Sequence, residues 1–223
     1  FIGNGGTMYA SKDFLFMGNG DGTFTDATEN LADMRVQPSN GSITCDYDND
    51  GDLDIFVSTY GVSSANGLNI LWENDGSAHF TDVSVDRGFA SLATGNYYLS
   101  STGYGTESEP GVDPGEYVGS NGFGLDCGDV DNDGDLDVFL TTISHPVDSD
   151  YSRKWSDPSQ LLVNGGSDEG FYLTNEWLAR ELPFNEGDVD GAMIDFDNDG
   201  LFDLSLSRDR KYEGSYTDVD QKA

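Results

Sequence analysis

The chain has 223 residues, 42 of them acidic and 10 basic, for a formal charge of −32, and 36% of it is apolar. That apolar share can build a core, so the chain is read as folded rather than as an acidic tail. The charge argues against nucleic acid or anionic membrane as partner, no run approaches the roughly 18 apolar residues of a membrane helix, and compaction against such self-repulsion calls for bound cations.

Twenty-nine glycines, clustered Asn-Gly and Asp-Gly pairs and little 3.6-residue periodicity predict a mostly β protein. The chain begins at Phe1 without a signal-peptide pattern, which reads as a processed product or an excerpt of something longer. In chain order the first element is a hairpin at 15–28 (LFMGNGDGTFTDAT), a strand, a Gly-rich turn and an F-T-D strand. Residues 45–60 follow as CDYDNDGDLDIFVSTY, an aspartate-rich loop running into an apolar, β-branched strand. The hairpin returns at 70–84 (ILWENDGSAHFTDVS), and the segment 90–120, rich in Gly, Ser and Tyr, interrupts the pattern. The aspartate loop returns at 129–140 (DVDNDGDLDVFL), and a second interruption covers 144–160. A looser hairpin spans 161–174 (LLVNGGSDEGFYLT), and 195–206 (DFDNDGLFDLSL) is the third loop.

Hairpin and loop therefore alternate. Each unit holds a short strand ending at the loop, a strand after it and two more in the hairpin. Four short strands per unit, repeated in series, suggest antiparallel propeller blades. A sandwich of similar strands would not bring the same loop back to the same place in every unit. The expected fold is an all-β partial propeller of about three blades over residues 1–223, with insertions at 90–120 and 144–160.

The loops read D-x-D-N-D-G-x-x-D. Side chains at positions 1, 3 and 5 converge on one point, and Gly at 6 lets the backbone turn so that a carbonyl at 7 joins them. An EF-hand would close this cage with Glu at position 12, but Val57, Leu140 and Leu206 stand there, so that reading fails. Position 9 is Asp in every copy and the residues beyond it alternate as a strand. The predicted ligands are Asp46, Asp48, Asp50 and Asp54 with the Asp52 carbonyl, and Asp129, Asp131, Asp133 and Asp137 with the Asp135 carbonyl. In the third loop they are Asp195, Asp197, Asp199 and Asp203 with the Leu201 carbonyl; a residue that offers only its carbonyl need not be acidic. Oxygen-only ligation in a flexible loop favours Ca²⁺ over softer metals and over Mg²⁺. A lone Asp-Gly cluster is usually a solvated turn, but three copies in phase favour three Ca²⁺ sites. Extracellular calcium modules bind with Kd of about 10⁻⁴ to 10⁻³ M, so occupancy implies a calcium-rich, extracellular or cell-surface location.

These loops, preceded by Gly41 and Gly124 and followed by hairpins of the NDGSAHFTDVS kind, resemble the FG-GAP and VCBS repeats. Those repeats build the propellers of integrin α subunits and of many secreted bacterial proteins, including ones similar to cartilage acidic protein. The resemblance implies a propeller of about seven blades, with Ca²⁺ between the first two strands of a blade.

Two functions are compatible with that fold. One is a non-catalytic extracellular binding, adhesion or assembly module; its partner would be a protein or glycan, or further blades or subunits. The other is a secreted enzyme such as a polysaccharide lyase or hydrolase. No catalytic residue is assigned, since G-x-S-x-G, H-E-x-x-H and phosphate-loop patterns are absent from the sequence, and binding is favoured. Contacts are expected from the insertions: Tyr97, Tyr98, Tyr104 and Tyr117 in the first, and His145, Tyr151, Arg153, Lys154 and Trp155 in the second. His145 with its basic neighbours is the one grouping with catalytic potential. Cys45 lies one residue before its loop and Cys127 two before, so period-2 alternation sends them to opposite sheet faces and no disulfide between them is expected. Asn40-Gly41-Ser42 is read as a turn rather than a glycosylation site.

Overall fold

The computed structural model describes residues 1–3, 5–6, 9–60, 68–90, 97–99, 103–107, 122–142, 159–177, 179–182 and 188–208. A two-residue pair, β1 (Gly5–Gly6) and β2 (Tyr9–Ala10), precedes the hairpin β3 (Phe16–Gly18) and β4 (Phe24–Asp26). Next comes a four-stranded antiparallel sheet of β5 (Ser39–Cys45), β6 (Asp54–Thr59), β7 (Ile70–Asn74) and β8 (Phe80–Asp82), neighbours in chain order. Strands β9 (Tyr97–Leu99) and β10 (Gly103–Glu107) pair with each other. A second four-stranded sheet follows as β11 (Gly122–Gly128), β12 (Asp137–Thr142), β13 (Gln160–Asn164) and β14 (Leu173–Asn175). The last pair is β15 (Asp188–Ile194) and β16 (Asp203–Arg208).

This all-β arrangement of antiparallel four-stranded sheets fits a propeller-like fold. The register repeats: Cys45 pairs with Asp54, Gly128 with Asp137 and Ile194 with Asp203, so each aspartate loop links the same two strand positions. Strands β6 (DIFVST) and β12 (DVFLTT) are buried at all six positions. Their central runs, Ile55-Phe56-Val57 and Val138-Phe139-Leu140, are continuously apolar because both sheet faces are covered, not one.

Three apolar layers cover them. Ile55, Val57, Ile70 and Trp72 pack with Leu15 and Leu31 on one side of the first sheet. Phe56 and Leu71 point to the other side and meet Leu125, Val138, Leu140 and Leu162 of the second sheet. Phe139, Leu161 and Val163 leave the far side of the second sheet to meet Met193 of β15, with Trp177 stacked on Phe139. Each such side chain, fully buried, contributes about 1.5–3 kcal/mol.

Strands β5, β11 and β15 lie side by side. Their approach requires glycine: a Cβ on Gly41 would sit 2.1 Å from the Phe123 carbonyl oxygen, and one on Gly124 2.5 Å from Asp190 Oδ1. Pairing within the sheet is irregular here, and hydroxyls replace it. The Gly41 amide donates to Ser58 Oγ (3.0 Å), which donates to the Phe123 carbonyl (2.6 Å), and the Gly124 amide donates to Thr141 Oγ1 (2.7 Å). Asn40 is thus a residue of β5 and not of a turn, and its amide donates to the Gly122 carbonyl at 3.0 Å.

The cysteine expectation is overturned. Cys45 and Cys127 form a disulfide, with Cα atoms 6.8 Å apart. The alternation is as expected, since Cys45 shares a face with Ile43 and Phe56 whereas Cys127 sits opposite Val138. The inference from it fails because neighbouring sheets stack face to back. Opposite faces of equivalent sheets are the two that meet across one gap, and both sulfurs lie in the middle apolar layer.

Candidate metal centre

The three aspartate loops share one backbone conformation. Asn49, Asn132 and Asn198 have φ of 58°, 60° and 60°, and Gly51, Gly134 and Gly200 have 97°, 96° and 91°. Asn tolerates the left-handed region better than most residues and Gly enters it without a Cβ penalty, which accounts for the N-D-G core of each motif. A Cβ on any of these glycines would meet nothing within 4 Å, so the requirement is one of φ alone.

Carboxylates cap the turns. Asp129 accepts from the Asp133 and Gly134 amides, both at 3.1 Å, and Asp195 accepts from Asp199 (3.1 Å) and Gly200 (3.0 Å). At position 5, Asp50, Asp133 and Asp199 each accept from the amide two residues on, at 3.1, 3.0 and 2.9 Å. Position 9 braces the loop. Asp54, Asp137 and Asp203 accept from the amides of Tyr47 (3.4 Å), Val130 (2.8 Å) and Phe196 (3.1 Å) at position 2. Asp54 and Asp137 also take the amides of Asn74 (2.9 Å) and Asn164 (2.8 Å) at the end of the third strand.

Carboxylate oxygens of Asp46, Asp48 and Asp50 lie within 4.8 Å of one another, as do those of Asp129, Asp131 and Asp137 and those of Asp195, Asp197 and Asp199. Of the predicted ligands, Asp54, Asp133 and Asp203 fall outside these groups, and the carbonyl donors Asp52, Asp135 and Leu201 sit in the same turns. The donor set suits a hard cation. In the first loop Asp46 Oδ1 and Asp48 Oδ1 are buried without a hydrogen-bond partner. Burial pushes Asp54 up to about 7 and Asp137 up to about 6; burial and then the Asp50 charge raise Asp48. Crowding and desolvation both disfavour the ionised form, and a divalent cation held by these oxygens would relieve both.

The first two loops touch: Asn49 Nδ2 donates to Asp135 Oδ1 at 2.7 Å. Two arginines approach them from the segments after the hairpins. Arg87 donates through Nε to the Tyr47 hydroxyl (3.0 Å), through Nη2 to Glu73 (3.0 Å) and through Nη1 to the Gly170 carbonyl (2.8 Å). Arg180 donates through Nη2 to Asp131 Oδ2 (2.8 Å) and through Nε to Glu176 (2.7 Å). Sequence reasoning missed both, although each stands five residues after the last hairpin strand residue, Asp82 or Asn175.

Among the predicted contact residues, Tyr97 and Tyr98 lie on β9 and Tyr104 on β10, so part of the first insertion forms a hairpin of its own. Tyr117, His145, Tyr151, Arg153, Lys154 and Trp155 lie outside the described residues. Among the described residues no helix is long and apolar enough to cross a membrane.

Residues 2–57, which span the first hairpin and first aspartate loop, match the FG-GAP-like repeat. Over 202 residues the chain is 28% identical to cartilage acidic protein 1 of Xenopus tropicalis, a stretch that covers 87% of this chain and 25% of that protein. The chain spans about a quarter of the length of that curated relative. With its alternating hairpins and aspartate loops on stacked antiparallel sheets, this chain carries an FG-GAP-like repeat.

Proposed function

We propose that the chain is a calcium-stabilised, non-catalytic binding or assembly module that works outside the cell and recognises protein or glycan. The observation that carries this reading is the threefold recurrence of one loop conformation, each copy gathering carboxylate oxygens and the first leaving two of them buried and unpartnered. Ca²⁺ would be held by the side chains at positions 1, 3 and 5, with the position-9 carboxylate and position-7 carbonyl of each loop completing the set. When bound it supplies the counter-charge that the loops lack. The position-9 carboxylates, through their bonds to position 2 and the third strand, transmit loop order to the sheet. The sheets are then blades of a larger propeller, about three in this chain out of about seven.

An extracellular setting accords with the Cys45–Cys127 disulfide, since such bonds persist in oxidising compartments. It also accords with a relative named for cartilage, a tissue that is mostly matrix. Recognition is assigned to the insertions, whose tyrosines and basic and aromatic residues offer contact area. The test is to shorten 90–120 and 144–160 separately to Gly-Ser links. Once folding and calcium binding are confirmed, each variant is assayed on glycan and matrix-protein arrays with and without chelator. Binding that depends on calcium and is lost with an insertion supports the assignment; binding that survives both deletions overturns it.

A further inference from the structure

We propose that Arg180 is a tethered counter-ion that weakens Ca²⁺ binding at the second loop relative to the first. This rests on the calcium reading above. Asp131 belongs to the carboxylate group of the second loop, and the Arg180 guanidinium already holds its Oδ2 at 2.8 Å. An arriving cation must compete with that charge-assisted bond for the Asp131 carboxylate and share the site's surroundings with a positive charge.

The first loop shows why this arginine is misplaced. Arg87 and Arg180 are equivalent, each donating its amide to the carbonyl four residues earlier, Val83 at 2.9 Å and Glu176 at 2.8 Å. Arg87 has a pair of local partners, the Tyr47 hydroxyl at loop position 2 and the Glu73 carboxylate on the third strand. The register places Val130 and Val163 at those two positions in the second repeat. Both partners are gone. Arg180 instead bridges Glu176 and Asp131, so an arginine at one equivalent position meets two different electrostatic environments. The pair is partly exposed, with side-chain accessibilities of 36% and 27%, so solvent screens it and the effect is modest. Its removal should tighten the second loop about two- to fivefold.

Hydrogen–deuterium exchange across a calcium titration, followed on peptides covering each loop, reads each site separately. In the unmodified chain the protection midpoint of 129–137 should lie at higher calcium than that of 46–54. Arg180→Gln should lower the 129–137 midpoint about two- to fivefold and leave that of 46–54 in place. Glu176→Gln should move it the other way, because Arg180 then has Asp131 alone. A 129–137 midpoint that stays or rises in Arg180→Gln, or fails to rise in Glu176→Gln, overturns the proposal. If no loop gains protection at any calcium concentration, the calcium reading itself fails and takes this one with it.

Discussion

Replacing Cys45 and Cys127 together by alanine cuts the disulfide cross-link between the two four-stranded sheets. The cysteines are 82 residues apart in sequence. In the chain-entropy account, a loop of that size removes about 15 cal/mol/K from the unfolded chain, or about 4.5 kcal/mol at 25 °C. Measured disulfides usually deliver about 2–4 kcal/mol, because the uncrosslinked unfolded state retains some structure. Cys45 is 2% exposed and sits in the middle apolar layer, so loss of its sulfur adds a small packing cost in the same direction. We therefore expect a loss of about 2–4 kcal/mol, read as a lower urea midpoint with calcium held in excess. The denaturant slope should rise as well, since an unlinked chain exposes more surface when it unfolds. Alkylation without reduction, followed by mass spectrometry, checks the premise. Two labelled thiols in the parent chain, or a variant with the same midpoint and the same slope, would refute the reasoning.

Calcium removal should lower the unfolding midpoint, because at about 10 mM calcium each occupied loop contributes about 1.4–2.7 kcal/mol for Kd between 10⁻³ and 10⁻⁴ M. An unchanged melting curve in chelator, with no metal found by elemental analysis, would remove the three sites. Gly41→Ala places a Cβ 2.1 Å from the Phe123 carbonyl and should cost about 1–3 kcal/mol in a calcium-saturated urea titration; wild-type stability would mean that β5 and β11 do not approach so closely. Gly51→Ala meets no atom, and its cost of about 1–2 kcal/mol should come from φ alone, so an asparagine there should recover part of it. Asp54→Asn cannot accept from both the Tyr47 and Asn74 amides and should cost about 1–3 kcal/mol even in chelator; a loss seen only with calcium present would make Asp54 solely a ligand.

The aspartate loops were legible because their determinants are local. Asn49 and Gly51, with their counterparts, need positive φ, and a short sequence can declare that. The alternation of hairpin and loop likewise fixed which strands are neighbours. What escaped were quantities set between sheets. Cys45 and Cys127 were correctly sent to opposite faces, but which faces meet is a matter of stacking, and no single strand carries it. Position 9 was legible as an aspartate of the loop, not as the brace that receives the Tyr47 and Asn74 amides. Arg87 and Arg180 show the same limit: their roles depend on Tyr47 and Glu73 in one repeat and on Val130 and Val163 in the other, far along the chain.

The faces that meet in each apolar layer are never alike. Phe56 leaves the first sheet on the side that receives Val138 and Leu140, while Phe139, the counterpart of Phe56, leaves the second sheet on the side away from them. Such a joint is heterologous, head to tail, and a step of this kind can be repeated without any new chemistry. Large apolar side chains stay exposed on the β3–β4 pair, Phe16, Met17 and Phe24, and in the third aspartate loop, Phe196, Leu201 and Phe202. The rotation between successive sheets, rather than a change in side-chain pattern, then decides whether a row of them curls into a ring or runs on as a filament. The close approaches at Gly41 and Gly124 are where a substitution would act on that rotation.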